Sequence, residues 1–119
     1  MLNETQKKNV ENIIRDVGDN CIFPYFQNLV QADISYKESV NDPVTVADQK
    51  AEALLKDALT ALLPNSLFVG EELYAIDKTV LRYLDQSDHP VWLVDPIDGT
   101  ANFIKGKTGF GIMVCLLDN

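Results

Sequence analysis

The run Val91-Trp92-Leu93-Val94 is closed by Asp95-Pro96-Ile97-Asp98-Gly99-Thr100, and this stretch restricts the folding of the chain more sharply than its surroundings do. β-Branched and aromatic residues favour an extended strand. Pro96 has no N–H to give a sheet ladder, so the strand is expected to end at Asp95. Gly99 supplies the dihedrals of a tight turn just beyond. A continuing strand would send Asp95 and Asp98 to opposite faces, whereas a turn lets the two carboxylates converge. Converging carboxylates repel one another. A divalent cation removes that repulsion, and hard carboxylate and carbonyl oxygens suit Mg²⁺ better than softer metals.

The competing reading is a solvated Asp-Gly turn between two strands, the commonest use of these residues. The longer pattern favours a metal and phosphate site, because a turn requires no second Asp, no Thr and no fully apolar lead-in. Two other motifs are excluded by spacing. An EF-hand loop starting at Asp95 would need Gly sixth and Glu twelfth, where Thr100 and Gly106 stand. The aspartyl-phosphate phosphatases of the haloacid dehalogenase type carry Asp-x-Asp-Gly-Thr, and Pro96 fills the slot of their nucleophilic Asp.

With 119 residues and 46% hydrophobic content, the chain is one domain's worth at most and can form a real core. The net charge of −8 argues against nucleic acid, whose binding rests on Lys and Arg neutralising phosphates. A small phosphate ester remains possible if cations bridge the charges. Cys21 and Cys115 are too few for a disulfide framework and read as reduced, buried thiols. The amino terminus has no apolar signal core, and the longest apolar run, Ile112 to Leu117, is too short to span a bilayer. A cytoplasmic protein without a membrane partner is expected.

Val10, Ile13, Ile14, Val17, Cys21 and Tyr25 recur at helical steps. They predict an amphipathic helix from Asn3, capped by Asn3 and Gln6, that kinks or restarts at Pro24 and runs to Leu29. A second helix follows Thr45 as N-cap and stops at Pro64-Asn65. Ala47, Ala51, Leu54, Leu55, Ala58 and Leu62 form its apolar face, with Gln49, Lys50, Glu52, Lys56 and Asp57 elsewhere. Asp48 falls in its first turn, where the helix dipole favours negative charge. Residues 66–69 read as a strand leading into Gly70-Glu71-Glu72, with a weaker helix from Asp77 to Leu84. Active sites of layered α/β proteins gather at strand ends, so Glu71 is a candidate to meet Asp95 and Asp98. Residues 110–117 are apolar on both alternating faces and predict a buried strand, followed by a turn at Asp118-Asn119. A long apolar strand without a hairpin partner is expected of a truncated chain. His89 reads as a loop residue and Trp92 as core.

The segment Trp92-Leu93-Val94-Asp95-Pro96-Ile97-Asp98-Gly99-Thr100-Ala101-Asn102-Phe103 closely resembles the signature of the inositol monophosphatase family. Asp42-Pro43-Val44-Thr45-Val46-Ala47-Asp48 is similar to the family's approach to its second helix, and Phe68-Val69-Gly70-Glu71-Glu72 to its glutamate motif. The resemblance covers essentially the whole chain but only the amino-terminal part of the family's fold. It implies an α/β fold of the layered α+β kind, with two amino-terminal helices packed on a largely antiparallel sheet. The family's later Trp-Asp segment, which supplies another metal ligand, is absent from residues 1–119. Leu73 stands where many relatives carry Ser.

By this resemblance, Glu71, Asp95 and the Ile97 carbonyl would hold one Mg²⁺, and Asp95 with Asp98 a second, of two or three ions in all. Thr100, near Asp48 and Glu71, would orient or deprotonate the attacking water, and the amides of Gly99 and Thr100 would grip the phosphate. Lys37 sits where the family often has a mobile lysine, and a solvated loop lysine reads equally well there. The implied activity is hydrolysis of a small phosphate monoester by a homodimer. Asn102-Phe103 looks more like the inositol phosphate branch than the fructose bisphosphate or phosphoadenosine phosphate branches. The alternative is a non-catalytic fragment that binds metal or phosphate, or an interaction module.

Overall fold

Asn3 starts the first helix as its pattern requires. Its side chain accepts from the Gln6 amide at 2.8 Å, and the Gln6 side chain accepts from the Asn3 amide at 3.0 Å. The computed structural model describes residues 1–85 and 88–118. In it α1 spans Glu4–Val17, widens into a π-helical turn at Gly18–Ile22 and tightens into a 3₁₀ turn at Phe23–Tyr25. Pro24 therefore lies in the last turn rather than at a kink, and the helix does not reach Leu29. Without an N–H, Pro24 cannot continue the ladder, and Phe26 is already extended.

The second helix, α2 (Val46–Leu62), follows a hairpin of two short strands, β1 (Ile34–Tyr36) and β2 (Pro43–Thr45), which the sequence pattern does not reveal. Thr45 caps α2 by accepting from the amides of Ala47 and Asp48. The face that enters the interior is Ala47, Ala51, Leu55 and Leu59, all fully buried. Leu54, expected on that face, is 48% exposed, whereas Glu52, expected on the polar face, is 6% exposed. The helix is rotated so that the stripe bearing Asp48 and Glu52, spaced one turn apart, faces inward instead.

A three-stranded sheet of order β3–β4–β5 supports the rest. The strand β3 (Leu67–Gly70) runs parallel to β4 (Val91–Asp98), and β5 (Gly111–Leu117) runs antiparallel to β4, so the sheet is mixed. A short helix α3 (Glu71–Ile76) leaves β3 directly. A 3₁₀ stretch, Lys78–Asp85, follows it. After β4 comes the short helix α4 (Thr100–Ile104).

β4 does not end at Asp95. Pairing resumes at Asp98 opposite Gly111, after Asp95 opposite Met113, so three steps on β4 match two on β5. This one-residue β-bulge is the position in a central strand where Pro96 is tolerated, since a bulged residue need not donate to the ladder. The bulge also resets the two-residue alternation, which would otherwise splay Asp95 and Asp98.

Phe68, Trp92, Val94 and Ile97 pack with Val17, Cys21, Ile22, the buried face of α2 and Phe103 as the main core. Trp92 is buried and donates its indole N–H to Ser66 Oγ at 3.1 Å. The opposite sheet face carries a smaller cluster of Val69, Val80 and Val91. β5, expected to be buried on both faces, is an outer strand: Ile112, Val114 and Leu116 pack inward, while Met113, Cys115 and Leu117 point outward. Cys115 is accordingly exposed, and only Cys21 is the buried thiol expected. The turn expected at Asp118-Asn119 lies partly outside the described residues. His89 is in a loop, its Nδ1 against the Asn65 carbonyl at 2.9 Å.

Gly99 joins β4 to α4 with φ of 91°, a left-handed conformation, and a Cβ there would stand 2.4 Å from the Gly109 carbonyl oxygen. Both facts require glycine. Gly99→Ala should cost about 1–3 kcal/mol or more, because strain and a backbone clash add. Urea denaturation measures it, and an unshifted midpoint would contradict this account of the turn.

Candidate functional site

Asp48 is 1% exposed and is held by the residues on either side of it in space. The Thr45 amide and hydroxyl donate to its Oδ2 at 2.8 and 2.6 Å. The Thr100 hydroxyl lies 3.1 Å from its Oδ1 and 3.0 Å from the Ile97 carbonyl oxygen. One hydroxyl proton faces two acceptors, so the Thr100 oxygen keeps lone pairs for another donor such as water. Burial pushes the Asp48 carboxyl above its ordinary range, and the bonds from Thr45 and Thr100 oppose that rise. The structure thus joins Asp48, Ile97 and Thr100, from α2, β4 and α4, into one hydrogen-bonded chain.

Asp95, on the bulge of β4, has its Oδ1 buried without a hydrogen-bond partner. Burial first, then Glu71 and then Asp98, push its carboxyl from 3.8 up to about 7. Glu71 opens α3, a helix set where β3 ends beside β4. Lys37, from the hairpin, places its Nζ 3.3 Å from both the Glu71 and the Glu72 carboxylates. Burial pushes Glu72 up to about 7 despite Lys37, with Asp48 and Glu52 adding repulsion. Gly99 and Thr100 form the start of α4, whose first-turn amides have no acceptor within the helix.

Among the described residues, no group of three or more His, Cys, Asp or Glu side chains is disposed to hold a metal ion. Glu71 and Asp98 both disfavour charge on Asp95 without the three closing into a ligand set, and Lys37 supplies the positive charge at Glu71. The donor chemistry nonetheless fits a hard cation: carboxylates repelling one another, a buried carboxylate oxygen without a partner, and a carbonyl on the same bulge.

Two clefts adjoin Glu71. The larger, about 840 Å³, lies between the hairpin, α2 and α3, and includes Lys37, Gln49, Glu52, Glu71 and Glu72 but neither Asp95 nor Thr100. The smaller, about 340 Å³, is more apolar and includes Glu71, Tyr74, Leu93, Asp95 and Met113. The orphaned Asp95 oxygen, not cavity size, marks the candidate site.

Glu52 is the residue that sequence reasoning missed. Its carboxylate accepts from the amides of Glu72 at 2.8 Å and Leu73 at 2.7 Å. The available signal was its position four residues after Asp48, on the same helical face.

The family model for the inositol monophosphatase family matches residues 3–119. The chain belongs to the inositol monophosphatase family. It is 37% identical over 108 residues to the bifunctional phosphatase IMPL2, chloroplastic, of Arabidopsis thaliana, covering 91% of this chain and 29% of that protein. It is 40% identical over 77 residues to inositol monophosphatase 1 of Bos taurus, covering 64% of this chain and 26% of that protein. The chain therefore spans less than a third of these relatives. Among solved structures, the Thermotoga maritima IMPase superposes with a TM-score of 0.75 at 22% identity, over 98% of this chain and 41% of that one. Inositol monophosphatase II of Staphylococcus aureus gives 0.68 at 26% identity, over 96% and 37%. The layered fold is thus that of the family. Among the described residues, no helix is long and apolar enough to cross a membrane.

The raised carboxyls make stability depend on pH. Asp95 and Glu72 have folded pKa values above their unfolded ones, so the folded chain holds more protons between about pH 4 and 7. Asp48 and Glu52, also raised by burial, act in the same sense. Stability contributed by these groups falls as pH rises through that window and levels off above it. In EDTA, the urea midpoint should be higher at pH 5.5 than at pH 8; the reverse order would contradict the burial of these carboxyls.

Proposed function

We propose that the chain is the amino-terminal, metal-binding part of a Mg²⁺-dependent phosphomonoesterase that hydrolyses a small phosphate monoester. The orphaned Asp95 oxygen beside Glu71 carries this reading, supported by family membership and by the phosphatase names of the relatives. Glu71, Asp95, the Ile97 carbonyl and Asp98 would hold Mg²⁺. When bound, Mg²⁺ supplies charge neutralisation for the phosphate and acidifies bound water. Asp48 orients the Thr100 hydroxyl through its Oδ1, so that Thr100 would accept a hydrogen bond from the attacking water and, as it took that proton, pass its own to the Asp48 carboxylate, the final base. The first-turn amides of α4, at Gly99 and Thr100, would bind phosphate oxygens. A covalent phosphoenzyme is unnecessary because water is the nucleophile. An inositol phosphate is the favoured substrate, on the strength of Asn102-Phe103 after Gly99-Thr100. The full-length protein would be a homodimer, as the family resemblance implies.

A second reading, a fragment that binds metal or phosphate without turnover, is favoured by the lack of a closed three-carboxylate set among the described residues. Release of phosphate from an inositol phosphate with Mg²⁺, measured for residues 1–119 and for a version extended to the length of the relatives, separates the two. Activity is expected of the extended chain. Inactivity of that chain across a panel of phosphate monoesters would sink the enzyme reading.

Asp95→Asn should weaken Mg²⁺ affinity by about tenfold or more, a loss near 1.4 kcal/mol, by removing the charge that faces Glu71 and Asp98. Calorimetry checks this, and unchanged affinity would remove Asp95 as a ligand. Thr100→Ala should leave Mg²⁺ affinity intact and lower turnover of the extended enzyme by roughly 100-fold, with Thr100→Ser restoring most of it. Wild-type turnover in Thr100→Ala would exclude the hydroxyl from the reaction.

A further inference from the structure

Glu52 has no part in the chemistry proposed above, yet it is a buried acid at the edge of the site. Its carboxylate spans from α2 to α3 and accepts both the Glu72 amide and the Leu73 amide. These are donors of the first turn of α3, which has no partners inside the helix. The residue that should cap them is Gly70, which has no side chain to do so. A capping carboxylate has therefore been supplied from a different helix, with both its oxygens engaged.

Gly70 provides an independent observation. A Cβ there would lie 2.3 Å from the Glu52 carboxyl carbon and 2.5 and 2.6 Å from its oxygens. The backbone at Gly70, φ −113° and ψ 154°, is one that any residue adopts. Glycine is required at this position by the space that the Glu52 carboxylate occupies, not by the turn. The last residue of β3 and the buried acid of α2 are thus fitted to one another at the point where the chain swings into α3.

The residue aimed by that swing is Glu71, the first of α3. We propose that Glu52 is a positioning residue: it clamps the first turn of α3 and thereby sets where the Glu71 carboxylate stands relative to Asp95. This rests on the reading of Glu71 and Asp95 as Mg²⁺ ligands. Loss of the clamp frees the first turn of α3, and the carboxylate pair loses its fixed separation even though neither carboxylate is altered. The requirement for two acceptor oxygens also explains the choice of Glu. A Gln at this position keeps the length and one acceptor but turns an NH₂ group toward the second amide.

The test measures exchange of the Glu72 and Leu73 amides by NMR together with Mg²⁺ affinity by calorimetry, in the wild-type chain and four variants. Glu52→Ala should reduce protection of both amides by about tenfold or more and weaken Mg²⁺ binding by about five- to tenfold. Glu52→Gln should expose one of the two amides and weaken Mg²⁺ less; it carries the test if Glu52→Ala does not fold. Gly70→Ala should reproduce the loss seen in Glu52→Ala. The double variant should be no worse than Glu52→Ala alone, because the shortened side chain vacates the space that Ala would fill. Unchanged amide protection in Glu52→Ala, or additive losses in the double variant, would overturn the clamp. Loss of amide protection with wild-type Mg²⁺ affinity would leave only a helix cap and overturn the positioning role. A wild-type chain that binds no Mg²⁺ would overturn the proposed function instead. The ¹³C shifts of the Glu71 and Asp95 side-chain carboxyls, read without metal, then decide the inference: they move in Glu52→Ala if it holds and stay at wild-type values if it fails.

Discussion

α2 carries two carboxylates into the interior, Asp48 and Glu52, one turn apart, and each is satisfied by donors from a different part of the chain. An unpaired buried carboxylate would be costly, so the donors cannot be optional. Asp48 draws Thr45 and Thr100 to itself and so ties the start of α2 to the start of α4. Glu52 draws the first turn of α3 to itself and so ties α2 to the end of β3. The site lies among these ties. Two of the elements that carry its residues, α3 and α4, are only six and five residues long and would otherwise have little to hold them.

The second constraint is the bulge in β4. A central strand bearing Pro96 would be broken or pushed to an edge, but one extra residue lets Pro96 be buried without interrupting the sheet. The same extra residue changes the phase of the strand between Asp95 and Asp98. Gly99 then reverses the chain in a conformation closed to other residues, so that Thr100 folds back onto the Ile97 carbonyl. Motif and backbone irregularity coincide: the residues released from pairing, Pro96 and Ile97, lie between Asp95 and Asp98, and the Ile97 carbonyl is left to the Thr100 hydroxyl.

Charge is distributed unevenly around this point. Asp48, Glu52, Glu71, Glu72, Asp95 and Asp98 surround the junction of α2, α3 and β4, and Lys37 is the ammonium that reaches it within hydrogen-bonding distance. Lys37 arrives on a hairpin whose strands are three residues each. Burial first, and then the excess of acid, keeps Asp95 and Glu72 hard to ionise. On the proposed reading, such a site would exchange a proton or an ammonium for a metal at low cost, because the stronger cation would remove repulsion already present.

Much of this was legible along the chain. The Asn3 and Thr45 caps, the helical periodicity of α1 and α2, and the apolar strand that opens the segment from Trp92 to Phe103 are local patterns, and the fold follows them. The rotation of α2 was not legible, since Leu54 and Glu52 lie on opposite flanks of one stripe and only the sheet decides which flank is covered. Nor was the continuation of β4 past Pro96, which depends on β5 slipping by one residue. The outward face of β5 was missed because alternation reports hydrophobicity, not whether a second layer is present to cover it. The sequence by itself determined the two long helices and the strands β3, β4 and β5, and it supplied the carboxylates that a hard cation would need, because those follow from side-chain chemistry and short-range periodicity. Only the tertiary structure decided that Glu52 would clamp α3 and that Asp95 would keep a buried oxygen without a partner. Both depend on contacts between residues about twenty or more positions apart, whose approach is set by packing rather than by any local rule.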